Sequence, residues 1–255
     1  MPREGKGEVV SLDEISFRKV RISDQVEEIL KELVLKHNAG DKTPSEDEIA
    51  RQLSVSKVTV REALSHLEAQ GLIERRRGVY GGTFVAKPTS GKMSEVVMNY
   101  YRMGHVTPEN LVEFRCTLEP TLAMLAAQRI TDPEMEELKK NIETIQSELE
   151  HGKSDTAKAL EFHTLVADAC HNPLFSHVMK ALTDVFEKVL EQIPLDFEVA
   201  RYDLDHSKQL YEAFQHRDSA KAYDLMVSHF EKLRQYITNE ETTVRTDHRK
   251  EGGAL

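Results

Sequence analysis

The chain has 255 residues, 39% of them hydrophobic and 31% charged. That is enough apolar content for a packed core and too much for a disordered chain. Its formal net charge of −10 excludes a surface that binds polyanions everywhere, but leaves room for a local basic patch. No apolar run approaches the roughly 18 residues of a membrane span, and the first residues carry no apolar signal core. Cys116 and Cys170 stand without metal-type pairing, so reduced thiols and a cytoplasmic location are expected, with no membrane partner.

Residues 1–18 are polar and without period, which suggests a loose arm. From Ile22 the apolar residues Ile22, Val26, Ile29, Leu30 and Leu33 are expected to form one face of a helix. A second helix is expected within Pro44 to Leu53, with an acidic first turn that suits a helix N-terminus. After the turn Ser54-Val55-Ser56, Ser56 is placed to cap a third helix from Lys57 to Gln70. Val60, Ala63, Leu64 and Leu67 are its expected buried face, and Gly71 its stop. Leu72 to Arg75 reads as a strand, Arg75 to Gly82 as a basic, glycine-rich hairpin loop, and Thr83 to Ala86 as the returning strand. Pro88, Ser90 and Gly91 mark a linker. Beyond it the chain looks helical, with starts at Thr107-Pro108, Asp132-Pro133 and Asn172-Pro173 and a cap at Asp218 for a last helix to about Ile237. The expected division is an arm at 1–18, a reading head at 19–88, a linker with its helix at 89–106, an all-helical domain at 107–238 and a frayed tail at 239–255.

Two helices joined by a short turn and followed by a two-stranded wing suit the major groove of DNA, with the wing on backbone or minor groove. The charge distribution agrees. Lys19 to Pro88 carries 12 basic and 11 acidic residues, and Thr89 to Leu255 carries 19 basic and 29 acidic, so the acidic load lies outside the head. Arg61 has the fork that pairs with guanine, and Val58 is suited to a thymine methyl. Lys57 and Arg61, four apart, share a face. Ser45, Ser56 and Thr59, together with Arg75, Arg76, Arg77, Gly81 and Gly82 of the wing, are candidate backbone contacts. The chain has no Gly-x-Ser-x-Gly, phosphate loop or His-Glu-x-x-His, which leaves no enzyme reading.

Residues 22–86 resemble the winged helix-turn-helix of the GntR family of bacterial regulators. The resemblance is carried by Pro44-Ser45-Glu46, Glu48-Ile49-Ala50, Leu53 to Ser56, Val60 to Leu64, Leu67 to Ile73 and Gly81 to Val85. Asp47 and Lys57 depart from the arginines common there. Asp47 removes one usual DNA contact, and Lys57 keeps charge but loses the fork. The remainder resembles the helical FCD sensor domain of the FadR-type branch, through Leu111 to Pro120, Phe162-His163, Asn172 to Leu174, Leu210 to Phe214, Asp218 and His229.

The resemblance implies a mainly α fold, a homodimer on palindromic operator DNA and a small-molecule effector in the helical domain. The regulator is expected to be a repressor, and the effector a carboxylate or an acyl-CoA. The implied pocket comprises Arg115, Glu119, Ala159, His163, Ser207, Tyr211 and His229. Many family members hold a metal there through one Asp and three His. Ala159 stands at the Asp position and Ser207 at the middle His, so no cofactor is expected. A Zn or Ni ion, if held, would take His163, His229 and His206. Arg115 has two readings, a structural pair with Glu119 or a seat for an effector anion. His171, His177 and His216 are expected at the surface or as caps.

Overall fold

The computed structural model describes residues 21–190 and 197–234. The expected arm at 1–18 and tail at 239–255 lie outside the described residues. The chain divides into two compact units, Met1–Pro88 and Thr89–Leu255.

The first unit is built from α1 (Ile22–Leu35), α2 (Glu46–Leu53), α3 (Lys57–Ala69), β1 (Ile73–Arg76) and β2 (Gly82–Val85). Its core gathers Val26, Leu30 and Val34 of α1 with Ile49, Val60, Leu64, Leu67, Ile73 and Val85. Ile22 and Ile29 do not join it, being 62% and 51% exposed. The buried stripe of α1 runs through positions 26, 30 and 34. Position 29 lies about 100° from 30 around the helix, and 22 falls on the same outer line as 29.

Both short helices begin on serines. Ser45 accepts a hydrogen bond from the Glu48 amide (3.2 Å) and Ser56 from the Thr59 amide (3.1 Å). Gly71 follows Gln70, the residue that caps α3, with φ 74°, the left-handed geometry that ends a helix where a side chain would be strained. Ser56→Ala is expected to destabilise the unit by about 1 kcal/mol; urea denaturation of the full chain checks it.

The antiparallel hairpin pairs Ile73 with Val85 and Arg76 with Gly82, so the turn spans residues 77–81. A Cβ on Gly81 would lie 2.5 Å from the Arg76 carbonyl oxygen, which restricts that position to glycine.

The second unit is all helical among its described residues: α4 (Gly91–Arg102), α5 (Pro108–Arg129), α6 (Asp132–Glu150), α7 (Thr156–Asp168), α8 (Pro173–Leu190), α9 (Phe197–Gln215) and α10 (residues 219–234). Thr107 and Asn110 form a reciprocal cap on α5. The start of α6 falls one residue earlier than expected: Thr131 is the cap, its amide and hydroxyl both donating to Glu134, and Asp132 is already helical. Asp218 caps α10 by accepting from the Lys221 amide at 3.0 Å.

The helix read as part of a linker, α4, packs against α8 within this unit. Met98 is buried there, and the Ser94 hydroxyl donates to Asp184 at 2.6 Å. The main core is formed by α5, α6, α7, α9 and α10, with Leu122, Ala126, Leu138, Phe162, Leu210, Phe214 and Phe230 at its centre. Cys116 and Cys170 are both free thiols. Burial pushes the Cys170 thiol up to about 12, so it packs as an inert apolar group. Among the described residues no helix is long and apolar enough to cross a membrane.

Candidate nucleic-acid interface and effector pocket

In the first unit Lys57, Arg61, Arg75 and Arg76 are held by neighbouring acids. Lys57 pairs with Asp47 at 2.7 Å, both being largely exposed. The two departures from the family pattern therefore meet each other. The Arg61 Nε donates to Glu46 at 2.9 Å, which leaves the two terminal nitrogens of its fork for another acceptor. Arg75 pairs with Glu68 (3.1 Å) and donates to the Ser65 hydroxyl (2.7 Å). Arg76 pairs with Glu74, and its guanidinium lies 4.4 Å from the centre of the Phe84 ring.

Ser45 and Ser56 are the two helix caps, and the Ser56 hydroxyl also bonds that of Thr59 at 2.8 Å. Their oxygens are already engaged, so any phosphate contact uses the remaining hydroxyl capacity. Val58 is 71% exposed and Arg77 is exposed. Gly81 and Gly82 shape the wing rather than present a side chain, and Lys42 Nζ donates to the Gly81 carbonyl at 2.9 Å.

In the second unit Arg115 and Glu119 of α5 are almost fully buried, 1% and 2% exposed. The Arg115 Nε donates to Glu119, whose other oxygen faces the Nδ1 of His163 on α7. Burial works to raise the Glu119 pKa, but Arg115 and His163 outweigh it and hold the carboxyl at about 2. Arg115 lies against two aromatic rings, 4.6 Å from Phe186 and 5.3 Å from Phe230. Its terminal nitrogens Nη1 and Nη2 are buried and have no hydrogen-bond partner. Both readings of Arg115 therefore find support, Nε in an internal pair and the outer fork still unsatisfied.

Arg115 lines a cavity of about 50 Å³ together with Ala159, Leu160 and His163 of α7, Phe186 and Leu190 of α8, Val199, Ala200 and Asp203 of α9, and His229 and Leu233 of α10. Three of the expected pocket residues do not line it. Ser207 is buried one helical turn beyond Asp203, and Tyr211 packs against the main core. Glu119 stands behind Arg115 and His163 rather than on the wall. His206 is also absent from the wall; its Nε2 bonds the Leu225 carbonyl at 2.8 Å and its ring stacks on His229 with centroids 4.4 Å apart.

The residue missed in the sequence is Asp203. Its carboxylate lies 3.7 Å from the Nδ1 of His229. In an acidic helix it looks like one more solvated charge, and only its place three residues before His206 sets it apart. His171 pairs with Glu134 and His216 with the Glu212 carbonyl. His177, expected at the surface, is half-buried with an unpartnered Nδ1, because α8 turns that face toward its neighbours.

Burial pushes His206 down to about 4 and His229 well below its ordinary value, with the neighbouring positive groups adding to the effect on His229. Burial pushes Asp203 up to about 6, against the lowering effect of His163 and Arg115.

These groups bias stability in opposite senses. His206 binds a proton in the unfolded chain at pH 6.5 and below that it refuses when folded, so its contribution is full above 6.5 and is lost as the pH falls toward 4. Asp203 contributes below its ordinary 3.8, and that is lost as the pH rises through about 6. With two histidines against one acid, acidification destabilises the unit, by about 2 kcal/mol from His206 alone at pH 5. Thermal melts between pH 8 and 5 are expected to show a falling Tm, and His206→Gln, which keeps a donor for Leu225, is expected to flatten that fall.

Comparison with known proteins places these two sites in context. Residues 22–85 match the family model described as bacterial regulatory proteins, gntR family, and residues 110–232 match the FCD domain. The HTH-type transcriptional regulator YcbG of Bacillus subtilis is 31% identical over 202 residues, covering 78% of this chain and 82% of that protein. The chain belongs to the GntR family.

Other similar GntR regulators are LutR of Bacillus subtilis, 29% identical over 60% of this chain and 69% of its own, and the repressor NanR of Salmonella newport, 26% identical over 86% of each. A solved GntR structure from Streptococcus agalactiae superposes with a TM-score of 0.65 at 24% identity, covering 84% of this chain and all of that one. The mainly α architecture and the absence of an enzyme family follow from this membership: the protein is a transcription regulator with an FCD ligand-sensing domain.

Some FCD domains bind a metal ion. The residues present do not fit one. Ala159 offers no donor and His206 commits its Nε2 to a backbone carbonyl, which leaves the Nε2 of His163 without the partners expected on either side of it. Among the described residues no group of three or more His, Cys, Asp or Glu side chains is arranged to hold a metal ion, whereas transition-metal sites ordinarily use at least three protein ligands.

Proposed function

We propose that this GntR regulator is a homodimeric cytoplasmic repressor of palindromic operator DNA, released by a small carboxylate that binds between Arg115, His163, Asp203 and His229. The carrying observation is the Arg115 fork, two buried donors with no partner at the wall of a cavity. An unsatisfied buried donor costs about 1–3 kcal/mol, more when charged, and a carboxylate satisfies both nitrogens at once. Glu119 already supplies the counter-charge on the Nε side, so the ligand's carboxylate is held by the two unsatisfied terminal donors rather than by a missing counter-charge.

Size bears on the class. The part of the cavity at the Arg115 fork is about 50 Å³, room for an acid of a few carbons, and it shares Glu148, Lys153, Ser154, Asp155 and Thr156 with a more open cavity of about 630 Å³, so the acyl-CoA is kept as an arm of the test. Asp203 and His229, which also line the cavity, are suited to a hydroxyl on such an acid. The name of one relative, a putative L-lactate dehydrogenase operon regulatory protein of Escherichia coli, 31% identical over 66% of each chain, agrees with that class. The effector acts by favouring one arrangement of the dimer over another, and shifts operator occupancy only by the difference in its affinity for the two.

The test has two steps. A duplex is selected from a random-sequence library with the full-length protein. Its affinity is then titrated with lactate, related two- to six-carbon hydroxy acids and an acyl-CoA, while native mass spectrometry reads the dimer. Weakening of the complex by a small acid, on a dimer carrying no stoichiometric Zn or Ni, is the expected result. Release by an acyl-CoA alone, or affinity that follows added metal, overturns the reading.

A further inference from the structure

The apolar tip of the wing is left unexplained by the contacts above. Val79 is 97% exposed and Tyr80 92% exposed, whereas every other exposed large hydrophobic residue described is at 71% or below. They occupy the two central positions of a tight turn closed by the Gly81 amide donating to the Gly78 carbonyl at 2.8 Å. Gly78 has φ 103° and Gly82 φ 147°, so both ends of the turn rest on conformations that other residues rarely adopt.

The base of the turn is braced. Lys42 holds the Gly81 carbonyl, and the Arg76 guanidinium and Lys42 ammonium both lie over Phe84, at 4.4 and 5.7 Å. The tip is thus presented on a stiffened stalk rather than left in a slack loop. From Arg75 to Lys87 the sequence has three consecutive arginines, a terminal lysine and no acidic residue. Arg75 and Arg76 are paired with Glu68 and Glu74, so Arg77 is the cation beside the tip, and an apolar point next to it suits a partner whose outside is anionic and whose interior is flat and aromatic, as in a nucleic-acid duplex.

We propose that Val79 and Tyr80 form a wedge that enters the minor groove flanking the α3 site and opens a base step there, with Arg77 anchoring the adjacent phosphate. The operator's outer flank is then read through its deformability, and a pyrimidine–purine step, which unstacks most easily, is favoured at that position. This rests on the operator-DNA reading. It adds a specificity element in residues that make no hydrogen-bond readout.

The experiment uses the full-length protein and the duplex selected above, with 2-aminopurine placed in turn at each flanking step. Wild-type protein is expected to raise the fluorescence at one flank step on each side. V79S/Y80S is expected to abolish that rise and weaken binding about tenfold or more at an unchanged salt slope, because no phosphate contact is lost. Y80F, which keeps the ring, is expected to restore both. Since both side chains lie outside any core, the melting temperature of V79S/Y80S should equal that of the wild type.

Equal affinity and no flank signal in wild type overturns the wedge while leaving operator binding intact. A drop in oligomer mass on V79S/Y80S substitution without DNA identifies the tip as a self-association surface and also overturns it. A wild-type chain that selects no duplex overturns the operator reading and the wedge with it.

Discussion

Arg115→Met is expected to destabilise the sensor unit by about 3–5 kcal/mol, because it leaves Glu119 as a buried charge without its main partner. Glu119 is 2% exposed and held ionised by Arg115 and His163. Once the arginine is gone, burial alone pushes its pKa up, and the chain must either bury an uncompensated anion or protonate it. R115M/E119M removes both charges and is expected to recover most of the loss, the residue being the Nδ1 of His163 left without its carboxylate. The double variant has a second use. It is expected to fold and bind operator, yet to ignore every carboxylate, because the fork that seats the anion is absent. Urea denaturation and operator titration of the two variants check both statements. A double variant that still responds to the acid places the effector elsewhere.

Arg61→Ala is expected to weaken binding to the selected operator by about 10- to 100-fold while hardly changing affinity for unrelated duplex, the mark of a lost base contact worth about 1–3 kcal/mol. Its Nε stays with Glu46, which fixes the plane of the guanidinium and leaves the terminal pair for guanine O6 and N7. Lys57→Ala should behave differently. Lys57 must exchange Asp47 for a phosphate, so its loss weakens all duplexes alike and reduces the salt slope by about one. Neither change should move the melting temperature much, since both side chains are exposed and surface ion pairs contribute about 0–1 kcal/mol. Fluorescence anisotropy on cognate and scrambled duplexes across a salt series separates the two. Equal losses on both sequences for Arg61→Ala would assign it to the backbone.

The reading head was legible because each of its elements has a local signature. Ser45 and Ser56 cap, Gly71 ends α3, and the period of Val60, Ala63, Leu64 and Leu67 declares one buried face. The exceptions in this unit also follow from local geometry, as Ile22 and Ile29 show by sitting on the outer line of α1. The pocket was legible only in part. Arg115, Ala159, His163 and His229 were found through the family resemblance, but Ser207 and Tyr211 were carried over from a linear register that says nothing about depth along α9. Asp203 was invisible because its meaning depends on α5 and α10, which are distant in sequence. Val79 and Tyr80 passed as part of a glycine-rich loop, since exposure near 100% is a property of the folded turn and not of the letters.

The seat of α4 on α8 sets a leash length. The Ala86 amide is still bonded to Leu72 in the first unit, and α4 begins at Gly91 in the second. Only residues 87–90 lie between those two moorings, Pro88 among them. Five Cα steps extend to roughly 17 Å at most. In the proposed dimer each head therefore roams within a small sphere around a fixed exit point. Three to five extra base pairs add about 10–17 Å along a duplex, within the combined reach of two such leashes, so the linker tolerates a modest range of half-site spacings without lifting α4 from α8. The outer limit of each head's reach is thus written into four residues, and shortening that stretch is the direct way to make the operator spacing strict.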